Sequence, residues 1–148
     1  MLTSSSTHVR AAELPERWLL FDASHAPLGR MASRIAMHLM GKDQPAYTAS
    51  ELTGAHVVVI NAAQAVLTGK KNEQKVYDFY SGFAGGLKRI PIERMRERKP
   101  DEIVALAVRR MLPKSTLGKQ MYKRLKVYGG ADHPHTAQQP TAVDMRKS

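Results

Sequence analysis

Ser81, Asp78 and six histidines supply a hydroxyl, a carboxylate and imidazoles, the parts of a hydrolytic triad. Their spacing does not assemble one: nothing in the sequence places them together, and no nucleophile-elbow motif is present. His133-Pro134-His135 offers two imidazoles to a metal. No third ligand follows at helical or hairpin spacing, and without cysteine a structural zinc site is not expected, so contact with a partner or plain solvation is the better reading. Gly82, Gly85 and Gly86 resemble a phosphate loop loosely, but the Gly-Lys-Ser/Thr ending is missing. A dinucleotide fingerprint needs several glycines between the first strand and first helix, where Gly29 stands alone. The chain therefore reads as having no catalytic residues, no metal and no cofactor. The glycines at 82–86 suit tight turns or close approach of backbone to a partner.

Charge is more informative. The net charge is +10 over 148 residues. Residues 1–69 carry five basic and five acidic side chains, whereas residues 70–148 carry eighteen and eight, so the whole excess lies in the second half. Arg109, Arg110, Lys114, Lys119, Lys123, Arg124 and Lys126 fall in one stretch that no acid interrupts. A more dilute cluster runs from Lys88 to Lys99, and a third comprises Lys70, Lys71 and Lys75. Solubility alone is served by mixed signs, whereas like charges this dense repel one another unless an anion lies against them. A polyanion is the expected partner, with nucleic acid ahead of an anionic membrane surface. Lys and Arg would neutralise phosphates, and Tyr77, Phe79, Tyr80 and Phe83 could stack on unpaired bases, although about half of these aromatics are expected to pack the core.

The elements that must hold these side chains follow from periodicity. Trp18 to Phe21 is a short apolar run and predicts a strand. Arg30 to Met40 predicts a helix with Met31, Ile35, Ala36 and Leu39 inward and Arg30, Arg34 and His38 on another face, ended by Gly41. His56 to Ile60 is continuously apolar and β-branched, the pattern of a strand buried on both faces in a parallel sheet. Ala65 to Thr68 suggests another short strand, and Tyr77 to Lys88 a loop. A short helix is predicted over Ile92 to Arg98, and a longer one opens at Pro100 with Asp101 and Glu102 in its first turn. Ser115 can cap a helix to about Lys123, with Lys119, Lys123 and Lys126 on an outward stripe if it extends that far. Leu125 to Tyr128 is the last strand candidate. Strands separated by helices predict an α/β sandwich with a mainly parallel sheet.

Val108-Arg109-Arg110-Met111-Leu112-Pro113, Gly118-Lys119 and Leu125-Lys126-Val127-Tyr128-Gly129-Gly130 resemble the signature of the large-subunit ribosomal protein thirteen family. Other segments agree in order: Trp18 with Asp22-Ala23, Leu28-Gly29-Arg30, Gly41-Lys42, Val59-Ile60-Asn61-Ala62, Thr68-Gly69-Lys70, Lys75-Val76-Tyr77, Gly85-Gly86-Leu87-Lys88, and His133-Pro134-His135 with Ala137-Gln138-Gln139-Pro140. The resemblance spans about Arg17 to Pro140 and is to the bacterial type. Ala49-Ser50, Gly54-Ala55 and Ser81 to Ala84 depart from the usual family pattern.

The resemblance implies a three-layer α/β/α sandwich around a four-stranded parallel sheet. It implies a structural, non-catalytic constituent of the large subunit that binds its ribosomal RNA, joins early in assembly and neighbours other large-subunit proteins. No membrane and no small-molecule substrate is implied, and the location would be the cytoplasmic ribosome, ahead of an organellar one. The expected organisation is a flexible arm over residues 1–16, one RNA-binding domain over 17–130 and an extended tail over 131–148. The arm lacks the features of a secretory signal or transit peptide. Expected RNA-binding residues are Arg30, Arg34, Lys42, Lys70, Lys71, Lys75, Tyr77, Gly85, Gly86, Lys88, Arg109, Arg110, Lys114, Lys119, Lys123, Arg124, Lys126, His133 and His135. Two other readings stay open: an RNA-binding regulator outside the ribosome, and a nucleotide-dependent enzyme on a similar sheet.

Overall fold

A computed structural model describes residues 8–145; the outer parts of the expected arm and tail, residues 1–7 and 146–148, lie outside the described residues. Four strands, β1 (Trp18–Asp22), β2 (His56–Ile60), β5 (Leu125–Val127) and β6 (Thr141–Ala142), form one sheet in the order β5-β2-β1-β6. Every pairing in it is parallel. The helices are α1 (Leu28–Met40), α2 (Lys71–Gln74), α3 (Ile92–Arg98), α4 (Pro100–Met111) and α5 (Thr116–Lys123). This is the expected α/β class, consistent with the three-layer sandwich.

Side-chain alternation assigns the two faces of the sheet. Phe21, Val57, Val59 and Leu125 join the main core, with Leu19 and Val127 packed against it. There they meet Met31, Ile35 and Leu39 of α1, Ile103, Val104 and Val108 of α4, and Met121 of α5. The other face presents Trp18, Leu20, His56, Val58 and, on β5, Lys126, which pairs in register with Val58. The steps β1 to β2 and β2 to β5 go the same way across the sheet, so right-handed crossovers place their helices on one face. The step from β5 back to β6 reverses direction and crosses the other face. His135 accordingly lies 5.2 Å from the Trp18 ring, which stacks on His56 at 4.5 Å.

Residues 77–88 do not form the loop expected of them. Val76–Tyr80 and Leu87–Pro91 pair as an antiparallel hairpin, β3 and β4. The alternation that specifies it is present, since Tyr77 is buried and Phe79 half-buried while Val76, Asp78 and Tyr80 are exposed. The glycines 82, 85 and 86 belong to its connection, where Gly82 and Gly85 take positive φ. The expected strand over Ala65 to Thr68 reduces to one bridge between Pro27 and Val66.

Ser115 caps α5 as expected, its Oγ accepting a hydrogen bond from the Gly118 amide at 3.2 Å. Ser115→Ala is expected to cost about 1 kcal/mol of stability, measurable by chemical denaturation. A change below a few tenths would mean that solvent satisfies the amide equally well. The same helix ends at Lys123, so Lys126 leaves the proposed helical stripe and belongs to β5.

Candidate nucleic-acid interface

The first turn of α1, the 66–68 segment, α2, the start of β3 and the last turn of α4 surround an open groove of about 690 Å³. The fold draws these pieces together through the backbone. The Leu28 amide donates to the Val66 carbonyl at 2.9 Å, the Lys75 amide to Lys71 at 3.1 Å, and the Ile92 amide to Lys75 at 3.0 Å. Arg30, Lys71, Lys75 and Arg110, distant in sequence, thereby line one concavity with Tyr77. Leu28, Val66, Leu67, Ala107 and Met111 supply an apolar wall, and Thr68 a hydroxyl.

Tyr77 is only 3% exposed, so its role is to floor the groove, and its ring is not free to stack on a base. Two cations lie over that ring, Lys75 Nζ at 5.2 Å and the Arg110 guanidinium at 5.9 Å from the centroid. Burial pushes the Lys75 ammonium below its ordinary pKa, and repulsion from Lys71 and Arg110 pushes it the same way. Burial raises the Tyr77 phenol, against the pull of Arg110 and Arg96. An anion seated among Lys71, Lys75 and Arg110 would relieve the mutual repulsion.

The remaining expected residues are spread over the surface. Lys114, Lys119, Lys123 and Lys126 are exposed, as are Lys42, Lys70 and Lys88. Arg109 is also exposed, with its guanidinium 5.9 Å from the Tyr122 ring. Arg124 points inward instead. Its guanidinium donates to the Gly54 carbonyl, and burial lowers its pKa, so this cation ties β5 to the entry of β2. Arg34 is half-buried, with Nη1 3.9 Å from the Met145 sulfur. Gly85 is exposed, and Gly86 lies beside Ser81, whose amide donates to the Gly86 carbonyl.

His135 is half-buried, its Nε2 2.8 Å from the Tyr128 hydroxyl, and its amide donates to His133 Nδ1. Among the described residues no cluster of three or more His, Asp or Glu is arranged for a metal. Asp78 pairs with Arg89 across the hairpin, while His25 and His38 face Asp22 and Asp43. Ser81 sits in the hairpin connection. The triad that could be drawn on paper is thus dispersed.

A second concavity, of about 590 Å³, is lined by Phe79, Lys88, Arg89, Ile90, Arg94, Met95, Arg98, Lys99 and Glu102. The site residues expected from sequence included Lys88 and omitted Arg89, Arg94, Arg98 and Lys99. The signal was the four-residue spacing of Arg94 and Arg98 on α3, obscured by the intervening Glu97. By contrast, the crevice beside β1 and β6, lined by Leu20, Asp22, His25, Ile60, Ala142, Val143 and Asp144, carries two carboxylates.

A family model described as ribosomal protein L13 matches residues 16–134. The chain is 48% identical over 140 residues to the large ribosomal subunit protein uL13 of Thermotoga petrophila, covering 95% of this chain and 94% of that one. It is 48% identical to the Thermus thermophilus protein of the same name over 133 residues, covering 90% and 95%. The Francisella philomiragia protein is 47% identical over 136 residues, covering 92% and 96%.

Proposed function

We infer function from the premise that this chain belongs to the ribosomal protein L13 family. It is a structural constituent of the large ribosomal subunit, located in the ribosome, and not an enzyme. Its partners are ribosomal RNA and other ribosomal proteins. The finer reading is that it clamps several RNA segments with basic surfaces while the apolar sheet keeps them in register, and so supports early assembly of a cytoplasmic, bacterial-type subunit. Residues 17–130 would form the RNA-binding domain with 1–16 as an arm, and the expected tail over 131–148 would return to that domain through β6, which pairs with β1.

The observation that carries this reading is the convergence of Arg30, Lys71, Lys75 and Arg110 on one groove. Among the described residues, the ion pairs join Arg17 and His38 to Asp43, His25 to Asp22, and Arg89 to Asp78. None of them neutralises a groove cation or a cation of residues 109–126. The chain is expected to co-sediment with large subunits at low salt. Release into the supernatant would favour the reading as a regulator outside the ribosome.

Lys119, Lys123 and Lys126 present further exposed charge from α5 and β5. Replacing all three with Glu should leave helical content largely intact, because only Lys119 and Lys123 lie on α5 and Glu and Lys have similar helix propensities. RNA binding should weaken by several kcal/mol, since each attraction becomes a repulsion. RNA titration at fixed low salt, with circular dichroism alongside, tests this. Parent-like binding by a folded triple variant would leave that surface facing solvent.

A further inference from the structure

We propose that the groove between α1, α2 and α4 receives a single unpaired nucleotide of the bound RNA, with its phosphate against Lys71, Lys75 and Arg110 and its base against Val66, Leu67 and Met111. This rests on the RNA-binding reading above and deepens it. A site serving only the outer backbone of a duplex needs positive charge and little else. This groove also carries an apolar wall on which Val66 is 37% and Met111 43% exposed. Paired bases are stacked inside their helix and cannot reach such a wall, whereas an unstacked base presents a flat face to it.

Size agrees. The volume of about 690 Å³ lies within the roughly 300–1,000 Å³ typical of small-molecule pockets. Lys71 lies on α2, Lys75 at its C-terminal end and Arg110 in the last turn of α4 beside Met111. Tyr77 closes the floor, and Lys75 and Arg110 are already gathered over its ring. The repulsion among the three cations is a cost carried by the free protein, which a bound phosphate removes.

The test uses the full chain with an oligouridylate, whose bases are unstacked, and the blunt duplex of that strand with oligoadenylate. At one low salt concentration the single strand should bind at least about tenfold more tightly per site, the scale of one base contact. Thiouridine placed in the strand should crosslink within residues 66–68 or 107–111. Met111→Ser should erase most of the single-strand preference, and Val66→Ser gives a second reading should the first variant melt early. Lys119→Gln, away from the groove, should lower both affinities and leave their ratio unchanged. Equal binding of both probes, or a preference untouched by both serine variants, would overturn the nucleotide site while leaving RNA binding intact. Failure to bind either probe would count against the site and the broader RNA-binding reading together.

Discussion

The affinity of the chain for large-subunit ribosomal RNA is expected to fall by roughly a thousandfold or more between about 50 and 200 mM salt, if six to ten phosphates are contacted. The basis is counterion release. Each phosphate neutralised by Lys or Arg frees condensed cations, and returning salt reverses the gain. The net charge of +10 makes such a number of contacts attainable. The groove cations, Lys119, Lys123 and Lys126, and the concavity between β4 and α3 supply separate surfaces for them. Filter binding or anisotropy across a salt series measures the slope. A flat series would mean that shape and hydrogen bonding dominate, and the electrostatic account would fail. Arg124, already committed to the Gly54 carbonyl, should contribute little to that slope.

Gly54→Val is expected to destabilise the fold by about 3 kcal/mol or more, because overpacking against fixed backbone is costly. The helix α1 ends at Gly41 in the left-handed conformation, with φ 79°, and the chain returns along the helix end before entering β2. The Ala55 amide donates to the His38 carbonyl at 2.9 Å, and a Cβ on residue 54 would overlap the Leu39 carbonyl. Backbone meets backbone there, so no side-chain rotation relieves the overlap. A loss of that size in a chain of this length lowers Tm by about 10 °C. Gly29→Ala, at a position in α1 where a Cβ meets nothing within 4 Å, should by contrast be neutral or stabilising by up to about 1 kcal/mol. Similar melts for the two variants would show that the 53–55 segment can move away from α1.

The main elements were legible wherever one physical signal dominated. His56 to Ile60 reads as a buried parallel strand because it is β-branched throughout, and α4 announces itself by Pro100 with two acids in its first turn. The hairpin over 76–91 is masked in the sequence, where Gly82, Gly85 and Gly86 give a stronger loop signal than the alternation of Val76 to Tyr80 gives for a strand. β6 has two residues and follows Pro140, too short for any periodicity to register. For the interface, charge density pointed to residues 109–126, yet sequence proximity is a poor guide to convergence. Arg124 in that run turns inward, while Arg110 joins Arg30, Lys71 and Lys75 from elsewhere in the chain. Nothing in the local sequence couples those four; the parallel sheet and its crossovers do.

The pairing of Leu19 and Leu20 with Thr141 and Ala142 also makes the sheet depend on a segment remote in sequence for its closure. The pairing of β5, β2 and β1, with their helices, needs nothing beyond residue 127. In that set alone the outer edge of β1 still offers unpaired amides and carbonyls to any neighbouring strand. Closure waits for residues 141–142 to pair along β1 and for the connecting segment to be laid across Trp18 and His56. Residues 141–142 therefore remove the sticky edge, so a chain cut before them would present to chaperones and to other chains a surface that the folded protein covers.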